Sequence, residues 1–163
     1  MPPKNQRFWL TTDSVTLDIA ADPDTLYAMV SDLPRIGEWS PECERVEWDG
    51  DVTEPVEGTQ FIGFNAVGPG RRIRYQRHGT VLTAKKGSAF SFITDEGGRP
   101  STAWHYTFEP LTDGRTRVTE AYEVRWIPTW ARILDVPTNR HKELVRGMRT
   151  TLERLKTTAE AQS

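Results

Sequence analysis

The sequence predicts an α+β fold: a curved, seven-stranded antiparallel sheet, two short helices after the first strand, and a long C-terminal helix lying across the sheet. Three observations carry this. Between residues 139 and 157, Leu144, Val145, Met148, Leu152 and Leu155 recur at helical spacing within an arc of about 100°, and Lys142, Arg146, Arg149, Glu153 and Lys156 take the other side. From Val15 to Trp126 the pattern is mostly alternation of apolar and polar residues, the period of half-buried strands. Turn residues break that alternation at short intervals, which implies hairpins and an antiparallel sheet. A stripe of aliphatic and thioether side chains gains its helical stability by packing, so the helix needs the sheet.

The elements follow in order. Residues 1–13 read as a loose lead-in, with Phe8 and Trp9 able to dock on the body, and 14–158 as one domain; 159–163 read as a tail. Val15, Leu17 and Ile19 alternate in a strand over 14–20. Asp22-Pro23 supplies a cap and a first-turn proline for a helix over 23–31. Pro34 opens a second short helix, about 33–38, and Glu38-Trp39-Ser40-Pro41-Glu42 makes a rigid turn. Val46 and Trp48 mark a second strand. Strands follow over 59–66, 71–84 with a bend expected at Gly79, and 89–94. Thr102, Trp104, Tyr106 and Phe108 then share one face of a strand, and Asp113-Gly114 turns the chain. Val118, Tyr122, Val124 and Trp126 line the return strand. A short turn or helix around Trp130–Leu134 leads to Pro137, with Thr138 or Asn139 as cap for the final helix. A curved sheet gripping one helix leaves a gap unless large side chains fill it.

Composition narrows the function. The formal net charge is −2 over 163 residues, so no basic field argues for nucleic acid, and no polybasic block points to an anionic membrane surface. No segment approaches the ~18 apolar residues of a membrane span, and the N-terminus lacks the apolar run of a signal peptide. Integral membrane association is not expected, and a cytoplasmic location is. The single cysteine, Cys43, excludes an internal disulfide and a multi-cysteine metal site. Its acidic neighbours Glu42 and Glu44 disfavour a thiolate, so it reads as a small loop residue. Neither a metal nor a cofactor is called for, and nothing in the pattern sets an oligomeric state.

Several stretches carry a family likeness: Ile19-Ala-Ala-Asp-Pro, Val30-Ser-Asp-Leu-Pro-Arg-Ile-Gly-Glu-Trp-Ser-Pro-Glu-Cys and Gly58-Thr-Gln-Phe-Ile-Gly-Phe-Asn. Trp104-His-Tyr-Thr-Phe-Glu-Pro, Gly114-Arg-Thr-Arg-Val-Thr-Glu and Gly147-Met-Arg-Thr-Thr-Leu-Glu-Arg-Leu-Lys continue it to about residue 158. In these the chain resembles the START-like, birch-pollen-allergen-like superfamily, also called SRPBCC, and within it bacterial proteins of polyketide cyclase/dehydrase type. The resemblance implies a helix-grip fold with a cavity for a hydrophobic molecule. Members bind lipids, sterols, polyketides or hormones, and some cyclise aromatic polyketides. A shared fold does not fix function.

Common catalytic motifs are absent, and no catalytic residue is assigned. His105 has the parity of outward residues, and His141 reads as a rim residue at the helix start. Trp39 either caps the core or forms the lip of a cavity. Trp104, Tyr106 and Tyr122, with Phe92 on a neighbouring strand, form either ordinary core or a wall for a flat apolar ligand; Phe108, near its turn, reads as core. Met148 and Leu152 would roof such a space. Glu120 shares parity with Val118 and Tyr122 and so faces inward, where Tyr106, the Trp104 indole or Arg74 could supply donors. It is either paired within the protein or open to a ligand. Asn65 is a second inward candidate on a strand whose faces are both mixed. The functional expectation is a carrier or sensor of a hydrophobic or aromatic small molecule. The alternatives are a polyketide cyclase/aromatase-type enzyme and a toxin-like effector acting through protein contacts.

Overall fold

In the computed structural model, residues 12–131, 133 and 140–162 are described. Seven strands form one antiparallel sheet: β1 (Thr12–Ile19), β2 (Cys43–Trp48), β3 (Gln60–Val67), β4 (Ile73–Lys85), β5 (Ala89–Glu96), β6 (Arg99–Pro110) and β7 (Thr116–Val124). Their spatial order is β1-β7-β6-β5-β4-β3-β2, so the first two strands in sequence hold opposite edges. The chain between them forms α1 (Pro23–Ser31) and a 3-10 helix (Leu33–Glu38). The long helix, α2 (Arg140–Ala161), lies on the concave face. The expected α+β helix-grip architecture is the one observed.

Local chemistry explains the elements. Asp22 caps α1, accepting from the Thr25 N–H at 2.9 Å and the Thr25 hydroxyl at 2.6 Å. Those bonds hold its carboxyl below the usual range. Register shifts between Cys43 and Arg45, Val81 and Thr83, and Thr94 and Asp95 bend the sheet around the helix. At Gly79, where a bend was expected, β4 runs on; a Cβ there would lie 2.2 Å from the Phe61 ring, so the glycine makes room for that ring. β4 begins at Ile73 rather than Arg71 because Pro69–Arg71 closes a single 3-10 turn.

The core is densest where α1 closes one end of the grip. Tyr27 meets Phe90 and Phe108 edge-on, each at 6.1 Å, and Phe108 is core as expected. Leu26, Ile19, Val118, Leu152 and Leu155 are fully buried around them. α2 is tied to the end of β1: Lys156 Nζ donates to the Asp18 carbonyl at 3.0 Å, and Glu160 accepts the Ala20 N–H at 3.0 Å. The helix therefore takes in residues 159–161, set down as tail from the sequence, with Ala159 buried. The expected docking of Phe8 and Trp9 and the cap at residues 138–139 lie outside the described residues. Residues 129–131 and 133 are helical, within the expected turn. No helix among the described residues is long and apolar enough to cross a membrane.

Candidate functional site

At the end away from α1, sheet and helix diverge around a cavity of about 600 Å³. Its floor lies at one level on every element. Phe92 on β5, Tyr106 on β6, Glu120 on β7 and Met148 on α2 line the space; Phe90, Phe108, Val118 and Leu152, one step deeper, fill the core. The step on each strand is two residues, the repeat of a pleated face. Phe61 stands edge-on to Phe92 at 5.5 Å and continues the wall on β3.

Glu120 is the one acidic group at this floor. The register sets it opposite Tyr106, whose hydroxyl donates to Glu120 Oε1 at 2.8 Å. Oε2 is buried and has no hydrogen-bond partner among the described residues. Burial pushes the Glu120 carboxyl up to about 8, against the pull of the Tyr106 hydrogen bond. Burial and then the neighbouring Glu120 hold the Tyr106 hydroxyl well above its ordinary range. Near neutral pH the carboxyl therefore keeps its proton. Tyr106 occupies Oε1, so the proton belongs on Oε2, which is buried and has no acceptor among the described residues.

The mouth is polar. The Tyr75 hydroxyl and Arg140 both donate to Glu42 Oε1, and Arg140 reaches Glu143 Oε2 at 3.2 Å. Arg77 pairs with Glu96 at 2.5 Å and lies over the Tyr75 ring at 4.7 Å. His141, in the first turn of α2, bonds the Tyr122 hydroxyl through Nδ1, and its Nε2 lies 3.2 Å from Asp13 Oδ2 on β1. It is thus more than a rim residue: it fastens the start of the helix to two strands.

Of the residues singled out from sequence, Asn65, Phe92, Trp104, Tyr106, Glu120 and Met148 line the cavity. Trp39, Tyr122 and Leu152 are not among its lining residues, and for Trp39 and Tyr122 this favours the core alternative. Trp39 is a core cap: it is buried, with the Arg35 guanidinium 5.3 Å over its ring, and forms no lip. Tyr122 is covered by Trp104 at 5.9 Å and by His141, and Leu152 belongs to the solid layer below Met148. Arg74 is no donor for Glu120; its side chain is 75% exposed and 3.9 Å from Glu44. His105 points outward, 3.8 Å from Glu123. Cys43 opens β2 rather than sitting in a loop, and it lines the cavity. Burial pushes its thiol up to about 11, so the expectation against a thiolate agrees with its surroundings. Tyr75, Arg77, Glu42 and Arg140 went unnoticed. The parity of Ile73, Tyr75 and Arg77 on β4 carried that signal for two of them; the pairing of Glu42 with Arg140, 98 positions away, carried none.

Among the described residues no group of three or more histidine, cysteine, aspartate or glutamate side chains is placed to hold a metal. No curated protein sequence matches the chain. Solved structures do. A polyketide-cyclase-like protein of Corynebacterium glutamicum, Cgl2372, is 30% identical over 99% of this chain and 95% of its own, with a TM-score of 0.62. A START superfamily protein of Mycobacterium smegmatis is 16% identical over 93% of this chain and 99% of its own, with a TM-score of 0.65. The di-domain aromatase/cyclase StfQ of the steffimycin biosynthetic pathway matches at a TM-score of 0.65 and 16% identity, over 92% of this chain and 45% of StfQ. The last two likenesses are of fold. The family model described as polyketide cyclase/dehydrase and lipid transport matches residues 12–160, and the chain belongs to that family.

Proposed function

We propose that the protein binds a hydrophobic or aromatic small molecule, such as a lipid or a polyketide, in its internal cavity, as a carrier or sensor. The observation that supports this is the cavity: about 600 Å³, within the size range of small-molecule sites, with aromatic walls and one acidic group at its floor. Trp104 and Phe92 offer ring faces and Met148 an adaptable roof. A small turn of the Glu120 side chain would bring Oε2 to a ligand carbonyl or hydroxyl oxygen, the partner it lacks among the described residues. An effector acting only through protein contacts calls for a filled interior, and this interior is open. A cytoplasmic location fits the reading.

A second reading, polyketide cyclase-type catalysis, is favoured by Glu120 itself. A carboxyl pushed up to about 8 near an open space is tuned for proton transfer at neutral pH. Thermal-shift titration in vesicle-free buffer with fatty acids, sterols and polyaromatic compounds tests the first reading. A saturable rise in Tm is expected for at least one class, weakened by Trp104→Ala. No shift from any class, or the same affinity in Trp104→Ala, overturns it. Turnover of a linear polyketone that is lost in Glu120→Gln would establish the second.

A further inference from the structure

Among the described residues the exposed large hydrophobic side chains are Val56, Ile73, Trp130 and Ile133, and three of these belong to one end of the molecule. Ile73 (59% exposed) and Trp130 (60%) line the cavity mouth, and Ile133 (67%) follows Trp130 at the i,i+3 spacing that puts both on one helical face. Ile73 and Trp130 thus set exposed apolar surface beside the polar groups of the mouth. The turn that presents Ile73 is basic: Arg71, Arg72 and Arg74 are exposed, and residues 68–74 contain no carboxylate. Glu44 lies 3.7 Å from Arg71 and 3.9 Å from Arg74, and offsets one of the three charges. Arg72 has no ion-pair partner among the described residues. Arg71 Nη1 donates to the Pro41 carbonyl at 2.7 Å, which ties the turn to the body.

We infer that this end is a peripheral docking surface for an anionic lipid bilayer, with Arg71, Arg72 and Arg74 at the phosphate level and Ile73, Trp130 and Ile133 in the headgroup–acyl boundary. The charge argues for an anionic surface. Each arginine near such a surface strengthens binding about fivefold, so three are too few to hold the protein alone. Exposed isoleucine and tryptophan beside them supply the second, apolar signal that stable surface binding requires. An acidic protein would answer the arginines but has no need of the two isoleucines. The sequence conceals this surface because it holds no polybasic block: the fold brings a three-arginine turn to the same cavity mouth as apolar residues about 60 positions later. What the surface would accomplish, passing a ligand from bilayer to cavity, rests on the cavity reading; the surface itself does not.

Flotation with ligand-free vesicles of phosphatidylcholine, alone or mixed with phosphatidylglycerol, tests it. The wild-type protein is expected to float with the mixed vesicles only, and less so as salt rises. Arg72→Glu is expected to lower partitioning fivefold or more, and Ile133→Ser to lower it as well. Lys86→Glu makes the same charge change in the exposed β4–β5 turn at the other end and should leave binding unaltered. Arg72 and Ile133 are outside the cavity wall, so both variants should keep wild-type ligand titrations in vesicle-free buffer. The inference falls if the wild type ignores the mixed vesicles, floats equally with phosphatidylcholine, or loses as much in Lys86→Glu as in Arg72→Glu. Capture by an acidic protein without flotation also overturns it. A failed ligand titration with intact flotation would sink the cavity reading alone.

Discussion

The two ends of the grip use the same strands and the same helix to opposite effect. On β6, Phe108 is packed under α1, and Trp104, four residues earlier, faces open space. On α2, Leu155 is sealed in the core and Leu144 stands at the cavity. Nothing in backbone geometry separates the two; what differs is the third layer. α1 brings Leu26 and Tyr27 down onto the sheet at one end, whereas at the other the 3-10 helix and residues 130–131 stand around the cavity without filling it. The closed end holds the fold together, and the open end is released from that duty.

The sharpest contrast comes from truncating one apolar residue at each end. Leu155→Ala, wholly buried in the closed end, should cost about 3–5 kcal/mol, measured from urea midpoints. Met148→Ala, under the cavity, should cost only about 1–2 kcal/mol, because its neighbours already face space. Equal losses would mean that the open end is as solid as the closed one.

The next test uses pH, since Glu120 sits on the boundary between the two ends. Its proton is held more tightly in the folded chain than in the unfolded one. The resulting stability is complete below about 4.5, declines as pH rises, and is gone above about 8. Wild-type protein should therefore lose about 2 kcal/mol between about pH 6 and about pH 7.5, and Glu120→Gln should show a flatter profile over that window. Identical profiles would show that the carboxyl titrates as it does in water.

The smallest effect belongs to Tyr106→Phe. It removes the hydrogen bond that pulls the Glu120 carboxyl down, so the upper end of the window of pH-dependent loss should move upward while its lower end stays, with a cost of about 1 kcal/mol at low pH. An unmoved window would mean that the pair is not coupled.

The closed end was the more legible half. Alternation and the helix stripe are local signals, and they led to the seven strands, α1 and the face of α2. Glu120 and Tyr106 were also readable, because parity on adjacent hairpin strands places them opposite each other. Residues whose role depends on distant partners were not. Tyr122 and Trp104 share a face, yet His141, from a helix 19 residues on, covers one and not the other. Trp39 follows a 3-10 helix whose packing no period announces, and Arg140 acquires its place only when Glu42 arrives beside it. Periodicity tells which way a side chain points; it cannot tell whether anything stands there.

The strand order also fixes a timetable. Thr12 pairs with Glu123, and its hydroxyl bonds the Tyr122 carbonyl 110 positions along, so β1, made before the other six strands, has no partner until β7 follows it from the ribosome. Its other fastenings, Lys156 and Glu160, come later still. Closing loops of this length is slow, and the hairpins from β3 to β7, whose partners are neighbours in sequence, need not wait. The first strand is thus the last to join, and until it does Val15 and Ile19 remain open to chaperones, proteases and the edges of other unfinished sheets.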